Sequence, residues 1–161
     1  MKKVLVICLA MLFYSGLKAQ GVFKIGVVAG VPTADAGDIS NFVLGADAYY
    51  MFEKEDAILN FGPTIGIRNY FGDEISPGIS VDDGQFLPIG GAARVTLLGV
   101  LTGGVDVGYA VGISDFLDGG FYFRPVVGLD ILDILELNAS YESISDAATW
   151  GSFNIGLLLA L

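Results

Sequence analysis

The side chains of this chain that could carry chemistry are carboxylates and a few guanidinium groups. The sequence has no histidine, and its one cysteine, Cys8, lies in an apolar N-terminal stretch. These facts exclude a Ser-His-Asp triad and the common zinc sites. Paired carboxylates could act as general acid and base, but carboxylates spaced among arginines are more simply structural. We therefore predict no enzymatic activity, no catalytic residue, no cofactor and no built metal centre.

The charged residues follow a pattern within segments that alternate polar and apolar positions. Most of the basic residues after position 20 stand on the glycine-rich side, and the opposite side is apolar. A soluble β protein turns such charges toward water, whereas a membrane barrel turns its apolar side to lipid and its charges into the lumen. We predict a lumen charge network of nine residues: Lys24, Asp47, Arg68, Arg94, Asp106, Arg124, Asp130, Glu136 and Glu142.

Two interpretations of this network stay open. An eight-stranded barrel is just wide enough for side chains to fill, and buried charges must be paired and hydrogen-bonded. The network is therefore either a salt-bridged plug that closes the barrel or the wall of a narrow, gated ion path. Small residues on the same side, such as Gly45 and Gly66, leave room for long arginines to cross the lumen. This favours the plug.

The segments that must position these charges number eight, and each alternates with period two. They predict an all-β fold, an eight-stranded antiparallel up-and-down transmembrane β-barrel. Pro63, Pro88 and Pro125 fall inside strands, so each is expected near a strand end, at a bulge or where pairing is interrupted. The predicted strands are 21–31, 41–52, 58–71, 85–97, 100–113, 121–131, 134–143 and 150–161.

The connections between these strands alternate in length. Long ones are predicted at 32–40, 72–84, 114–120 and 144–149, and short ones at 53–57, 98–99 and 132–133. Outer-membrane barrels have long external loops at one rim and short periplasmic turns at the other. An even number of strands then puts both termini in the periplasm.

The long connections are acidic and contain no lysine or arginine. A solvated acidic rim is one interpretation, and divalent cations bridging it to anionic lipid headgroups is an extension of it. Carboxylate oxygens are also ligands for Ca²⁺, so a specific cation site near Asp82 and Asp83 is a second interpretation. The acidic loop residues are Asp73, Glu74, Asp82, Asp83, Asp115 and Asp118.

The N-terminus has the pattern of a secretory signal peptide. Lys2 and Lys3 precede an apolar stretch, 4–14, that is too short to span a bilayer. We predict a signal peptide over residues 1–19 and one barrel domain over residues 20–161. Removal of the signal peptide would leave 5 basic residues against 18 acidic ones, a net charge of −13. Nucleic acid is therefore not an expected partner, because phosphate binding needs clustered lysine and arginine.

Aromatic residues cluster near both ends of the predicted strands, as in the interfacial girdles of membrane barrels. Those expected at the long-loop rim are Phe42, Phe71, Phe86, Phe121, Phe123 and Trp150. Those expected at the short-turn rim are Phe23, Tyr50, Phe52 and Phe61.

Several of these segments resemble a known family. The junction Ala19-Gln20 and the strands LGADAYY (44–50), FLPIGGAAR (86–94) and RPVVGLD (124–130) are similar to small outer-membrane β-barrel proteins of the OmpA/OmpX-like type, most of all those of Bacteroidetes-type bacteria. The resemblance implies an outer-membrane location, lipid and the barrel-insertion machinery as partners, and a monomer. The last strand is similar to the terminal signal that this machinery reads, through Asn154, Gly156, Leu159 and Leu161.

Three functions remain open at this point. The first is a closed barrel with a structural or surface-interaction role, and the second is a narrow ion or small-solute channel. The third is a soluble, lipocalin-like periplasmic barrel that binds an apolar ligand. The position of Arg68 and Arg94 separates the third from the others, since a soluble barrel would expose both and bury its apolar rows.

Overall fold

The computed structural model describes residues 20–53, 58–76, 78–131, 134–145 and 148–161. The predicted signal peptide, residues 1–19, lies outside the described residues, and so does Lys54. No helix in the described part of the chain is long and apolar enough to cross a membrane.

Eight antiparallel strands close into a barrel, which confirms the predicted fold. Each pairs with its neighbours along the chain, and the first pairs with the last. A further two-stranded hairpin, formed by Glu74–Ser76 and Ile79–Ser80, lies in one of the long connections. The strands are β1 (Gln20–Ala34), β2 (Ser40–Glu53), β3 (Leu59–Gly72), β4 (Glu74–Ser76), β5 (Ile79–Ser80), β6 (Gly84–Leu97), β7 (Leu101–Gly112), β8 (Gly119–Ile131), β9 (Leu135–Ser145) and β10 (Thr149–Ala160).

The three strand prolines lie where one ladder is interrupted, as predicted. Each keeps its register with one neighbouring strand and leaves a gap in the pairing with the other. At Pro125, for example, the β8–β9 pairing stops after Phe123 and resumes at Val126. Because proline has no N–H to donate, the interruption avoids an unmet acceptor on the facing strand.

The barrel is apolar outside and charged inside. On β3, Ile65 and Ile67 face outward and are 47% and 48% exposed, whereas Arg68 faces the lumen and is 0% exposed. This is the reverse of what a soluble barrel needs, and the burial of Arg68 and Arg94 contradicts the soluble lipocalin-like alternative.

The interior is layered along the barrel axis. At the long-loop end, an apolar layer forms around Tyr70, Phe86, Tyr122 and Trp150. Charged side chains fill the middle, and a second apolar cluster follows toward the short turns: Tyr49, Met51, Ala92 and Leu158. We refer to the first group as the aromatic layer.

The aromatic layer corrects the predicted girdle at two positions. Phe86 is 1% exposed and Trp150 is 8% exposed, so both lie inside the barrel and not against lipid. Both lie on the same side of their strands as the lumen charges, and side-chain parity decides which face a strand residue occupies. Phe42 and Phe71 do lie outside, with ring centroids 6.0 Å apart.

Candidate functional site: the charge network of the lumen

Arg68 joins three strands at the centre of the lumen. Its Nε lies 2.8 Å from Glu142 Oε2 on β9, and its Nη1 lies 2.9 Å from Asp47 Oδ1 on β2. Its Nη1 also donates to the backbone carbonyls of Ala46 and Ile67. A guanidinium group satisfied by two carboxylates and two carbonyls can stay charged without water.

Arg124 shares Asp47 with Arg68. Its Nη1 lies 2.7 Å from Asp47 Oδ2 and 3.2 Å from the Tyr49 hydroxyl, while its Nε donates to Ser140 Oγ at 2.9 Å. One carboxylate therefore lies between two arginines that come from opposite directions across the lumen, on β3 and β8.

Arg94 and Asp106 form the next pair, 2.6 Å apart between Nη1 and Oδ1. Tyr49 donates its hydroxyl to Asp106 Oδ2 at 2.9 Å, and the Arg94 guanidinium lies 5.4 Å from the centre of the Tyr49 ring. Asp106 Oδ2 is also 3.9 Å from Arg124 Nη1, so the two pairs are continuous.

Three of the nine predicted residues lie apart from this centre, toward the short turns. Lys24 Nζ is 3.6 Å from Glu136 Oε2. Asp130 Oδ2 accepts a hydrogen bond from Thr102 Oγ1 at 2.6 Å. All nine predicted side chains therefore line one lumen, six in a central network and three nearer the short-turn rim.

Neutral partners of the network were not among the predicted site residues. Tyr49, Ser140 and Thr102 each hydrogen-bond to a charged group, and Tyr70 Oη lies 3.4 Å from Glu142 Oε1. All four stand at inward positions of the alternating pattern. The alternation along each strand is therefore enough to place these side chains in the lumen.

Glycines give the arginines their space. A Cβ built on Gly45 would lie 2.8 Å from Arg68 Cδ and 2.5 Å from the Ile67 carbonyl oxygen. A Cβ on Gly104 would lie 2.7 Å from Arg94 Cδ. Each long side chain thus extends over the backbone of a neighbouring strand where that strand has no side chain.

The aromatic layer covers the network at the long-loop end. The Trp150 ring is 5.2 Å from both Tyr70 and Phe86, measured between centroids, and all three contacts within this trio are edge-on. The Tyr70 hydroxyl connects this layer to Glu142 below it. Solvent entering from the loops therefore meets packed rings before it meets a charge.

The acidic loops are ordered in part by their own carboxylates. Asp83 accepts hydrogen bonds from Asn69 Nδ2 at 2.9 Å and from the Gly72 amide at 3.0 Å, and these bonds lower the pKa of Asp83. Glu74 accepts from the Gly78 amide at 2.7 Å. Asp73, Asp82, Asp115 and Asp118 are exposed. Within the described ranges, no three acidic, histidine or cysteine side chains converge on a point where a metal ion could bind.

The residues of the proposed insertion signal divide between the two faces of β10. Asn154 and Gly156 face the lumen, and the Asn154 amide donates to Ser152 Oγ at 2.9 Å. Leu159 and Leu161 face outward. β10 pairs with β1, so this segment forms one side of the seam that closes the barrel.

Comparison with known proteins identifies the fold. No family model matches the sequence, and no curated protein matches it. The structure is similar to that of Ail, the attachment invasion locus protein of Yersinia pestis, with a TM-score of 0.62 at 11% identity over 89% of this chain and 99% of that one.

Two further barrels are similar. A de novo designed transmembrane β-barrel gives a TM-score of 0.56 at 15% identity, over 89% of this chain and 99% of that one. The N-terminal β-barrel domain of Pseudomonas aeruginosa OprF gives 0.53 at 15% identity, over 88% of this chain and all of that one. The chain therefore has the fold of small outer-membrane barrels, and the finer resemblance to Bacteroidetes-type proteins stays a prediction.

Proposed function

We propose that this protein is an integral outer-membrane barrel that does not conduct and that displays its acidic loops at the cell surface. Its role is structural or one of surface interaction, without catalysis. Both termini lie on the periplasmic side, the barrel is a monomer in the lipid, and the barrel-insertion machinery recognises β10. Divalent cations bind between the acidic loops and anionic lipid headgroups.

The observation that carries this proposal is the reversed polarity of the barrel. Apolar side chains cover the outside of every barrel strand, and a soluble monomer rarely exposes apolar surface over so wide an area. The arginines lie inside, where each pairs with a carboxylate. Such a surface is stable against hydrocarbon chains and would aggregate in water.

The filled lumen supports the closed state over the channel. The six charges at the centre pair at distances of 2.6–2.9 Å through Arg68, Arg94 and Arg124. The pairs Arg68–Glu142 and Arg124–Asp47 cross the lumen, since their strands are not neighbours. The aromatic layer covers them on the loop side. An ion would have to displace both the central charges and the aromatic layer to pass through the barrel.

Single-channel conductance of the folded protein in a planar bilayer tests the proposal. We expect no current steps from protein whose folding is verified by a heat-dependent shift in gel mobility. Steady, ion-selective steps that change in Arg68→Ala would overturn the closed barrel and establish the channel.

Stability of the same variant gives a second readout. Arg68→Ala removes a cationic partner from both Glu142 and Asp47 in the lumen. Breaking a buried ion pair in this way lowers the free energy of unfolding by roughly 3–5 kcal/mol. Urea unfolding in lipid vesicles measures this loss, with the outward-facing Ile67→Ala as the control. If Arg68 instead lines a channel, the Arg68→Ala variant is expected to change its conductance with little loss of stability.

A further inference from the structure

A small cavity lies at the long-loop end of the barrel, between the aromatic layer and the β7–β8 connection. Its volume is about 120 Å³, which corresponds to roughly four water molecules. Phe86, Ile144 and Trp150 line it on the barrel side, and each of these side chains is more than nine-tenths buried. Phe116 and Asp118 line it on the outer side and are exposed. We refer to this space as the loop cavity.

The β7–β8 connection is held in place by hydrogen bonds at its start. The Ser114 hydroxyl donates to the Asp83 carbonyl oxygen at 2.8 Å and accepts from the Gln85 amide at 3.0 Å. The Leu117 amide donates to the Ser114 carbonyl oxygen at 2.9 Å, and the Leu117 side chain packs against the aromatic layer. The outer wall of the loop cavity is therefore formed before any ligand arrives, which lowers the entropic cost of binding.

Two kinds of group line the loop cavity, aromatic rings and one carboxylate. Asp118 is exposed, and no described residue forms a hydrogen bond or an ion pair with it. A cation is attracted both by a carboxylate and by the rings of aromatic side chains. An anion would be repelled by Asp118, and a neutral apolar group would leave this carboxylate without a partner. The lining therefore favours a cation that has an apolar stem.

The charge around the loop cavity extends this preference over a wide area. Every long connection is acidic, and none contains lysine or arginine. Asp73, Asp82 and Asp115 are exposed carboxylates that lie outside the cavity. A segment with several basic residues can pair with such carboxylates and with Asp118 at once, whereas one small cation cannot. Phe116, which is 53% exposed, adds an aromatic surface of the kind enriched at protein interfaces.

We infer that the loop cavity receives a lysine side chain from a basic segment of a partner protein. Beyond Cβ, lysine has four heavy atoms, which suits a space of roughly four water molecules. Its flexible apolar stem packs against the rings, and its ammonium group pairs with Asp118 at the solvent side. The inference rests on the proposed surface-interaction role and defines the chemistry of the partner.

The fluorescence of Trp150 can report on binding, since this residue lines the cavity and is the only tryptophan in the chain. The full folded barrel, in nanodiscs of a zwitterionic phospholipid, is titrated with a peptide of three lysines separated by glycines. We expect a saturable change in fluorescence that empty nanodiscs do not give. The same peptide with acetylated lysines is expected to bind at least about tenfold more weakly, because it loses the charge-assisted pair.

Two variants with a matched control separate the cavity from the general attraction of the acidic rim. Asp118→Asn removes the carboxylate of the cavity, and we expect it to weaken binding about tenfold. Asp73→Asn removes the same charge from an exposed position outside the cavity, and we expect a change of less than about twofold. Phe116→Leu keeps an apolar side chain and removes the ring, so binding is expected to weaken about two- to fivefold.

Four results would overturn the inference. The first is the absence of a saturable change with the lysine peptide, and the second is equal affinity for the acetylated peptide. The third is equal weakening by Asp118→Asn and Asp73→Asn, which would leave only a general attraction to the acidic rim. The fourth is choline binding as tightly as the lysine peptide, which would make the cavity a site for small organic cations.

The placement of the loops at the cell surface is tested separately. These titrations do not depend on which side of the membrane the loops face. Labelling of Asp115→Cys in intact cells with a membrane-impermeant maleimide tests that placement, and we expect the label to attach. Peptide binding without labelling would overturn the surface display in the proposed function and not the lysine site.

Discussion

At the scale of single residues, the lumen depends on pairs of residues in which a long arginine side chain lies beside a glycine. Arg68 lies over Gly45 and Gly66, and Arg94 lies over Gly104. The arginine supplies the charge, while the glycine supplies the space through which the charge reaches its carboxylate. A glycine on the outer face does not make room for an arginine, and a Cβ added to Gly103 would meet no heavy atom within 4 Å.

This difference predicts opposite effects for the same substitution. Gly45→Ala places a methyl group 2.5 Å from the Ile67 carbonyl oxygen and 2.8 Å from Arg68 Cδ, so the backbone and the arginine must both move. We expect a loss of about 1–3 kcal/mol in the free energy of unfolding, typical of overpacking. Urea titration of the vesicle-inserted protein measures it.

Gly103→Ala is the matched control, at an outward-facing glycine of another barrel strand, β7. No heavy atom lies within 4 Å of its added Cβ, so we expect no loss, or a gain of about 0.4–1 kcal/mol from the less flexible unfolded chain. Equal losses in both variants would mean that the glycines serve the strand backbone and not the arginines.

At the scale of elements, the alternating pattern identifies all eight barrel strands, and their bounds differ from the observed ones by a few residues. The β4–β5 hairpin and the 3₁₀ turn at Asp35–Asp38 were not predicted. Both lie in long connections, where no periodic burial constrains the sequence. Their geometry depends on individual hydrogen bonds, such as that from the Thr149 amide to Asp35 Oδ2, which joins residues 114 positions apart in the chain.

The set of lumen charges could likewise be proposed from parity, but the partners could not. Arg68 and Glu142 are 74 positions apart, and Arg124 and Asp47 are 77 apart. Which charges meet across a barrel depends on strand tilt and stagger, and these are properties of the closed sheet. For Trp150 the two sequence signals disagree: its side in the alternating pattern places it inside the barrel, whereas its nearness to a rim favours the lipid girdle.

The connection between β5 and β6, which contains Asp83, is the element whose order is expected to depend on pH. The hydrogen bonds from Asn69 and Gly72 favour the charged carboxylate, so its pKa in the folded state lies below its value in the unfolded chain. Its contribution to loop order is therefore complete at neutral pH and is lost as the pH falls through the folded-state pKa. We expect the Gly72 amide shift to titrate with a midpoint below the ordinary aspartate value of about 3.9.

Two variants check the assignment of that titration. Asp83→Asn should abolish the acid transition of the Gly72 amide, whereas Asp82→Asn, at the exposed neighbouring position, should leave it in place. A midpoint at or above the ordinary aspartate value would contradict the hydrogen-bonded arrangement of the loop.

At the scale of the whole molecule, the described barrel has its charged groups inside and its apolar surface outside, but two apolar clusters also lie inside, one on each side of the central charges. The aromatic layer is apolar and lies inside, at the end that carries the acidic loops. Its rings shield the central charges from water on that side, which strengthens the ion pairs beneath them because the local dielectric is lower. The second apolar cluster, around Tyr49 and Met51, is smaller and lies on the short-turn side of those charges.

The position of Trp150 tests this arrangement directly, because it is the only tryptophan in the chain. Its ring packs on Tyr70 and Phe86 inside the barrel, so lipids with brominated acyl chains should quench its fluorescence weakly. Phe121 is 55% exposed on the outer face near the same rim. A Trp150→Phe, Phe121→Trp protein, with folding verified by gel mobility, should be quenched several-fold more strongly. Equal quenching of the two proteins would place Trp150 in the lipid girdle, and the lumen would then lack its cover on the loop side.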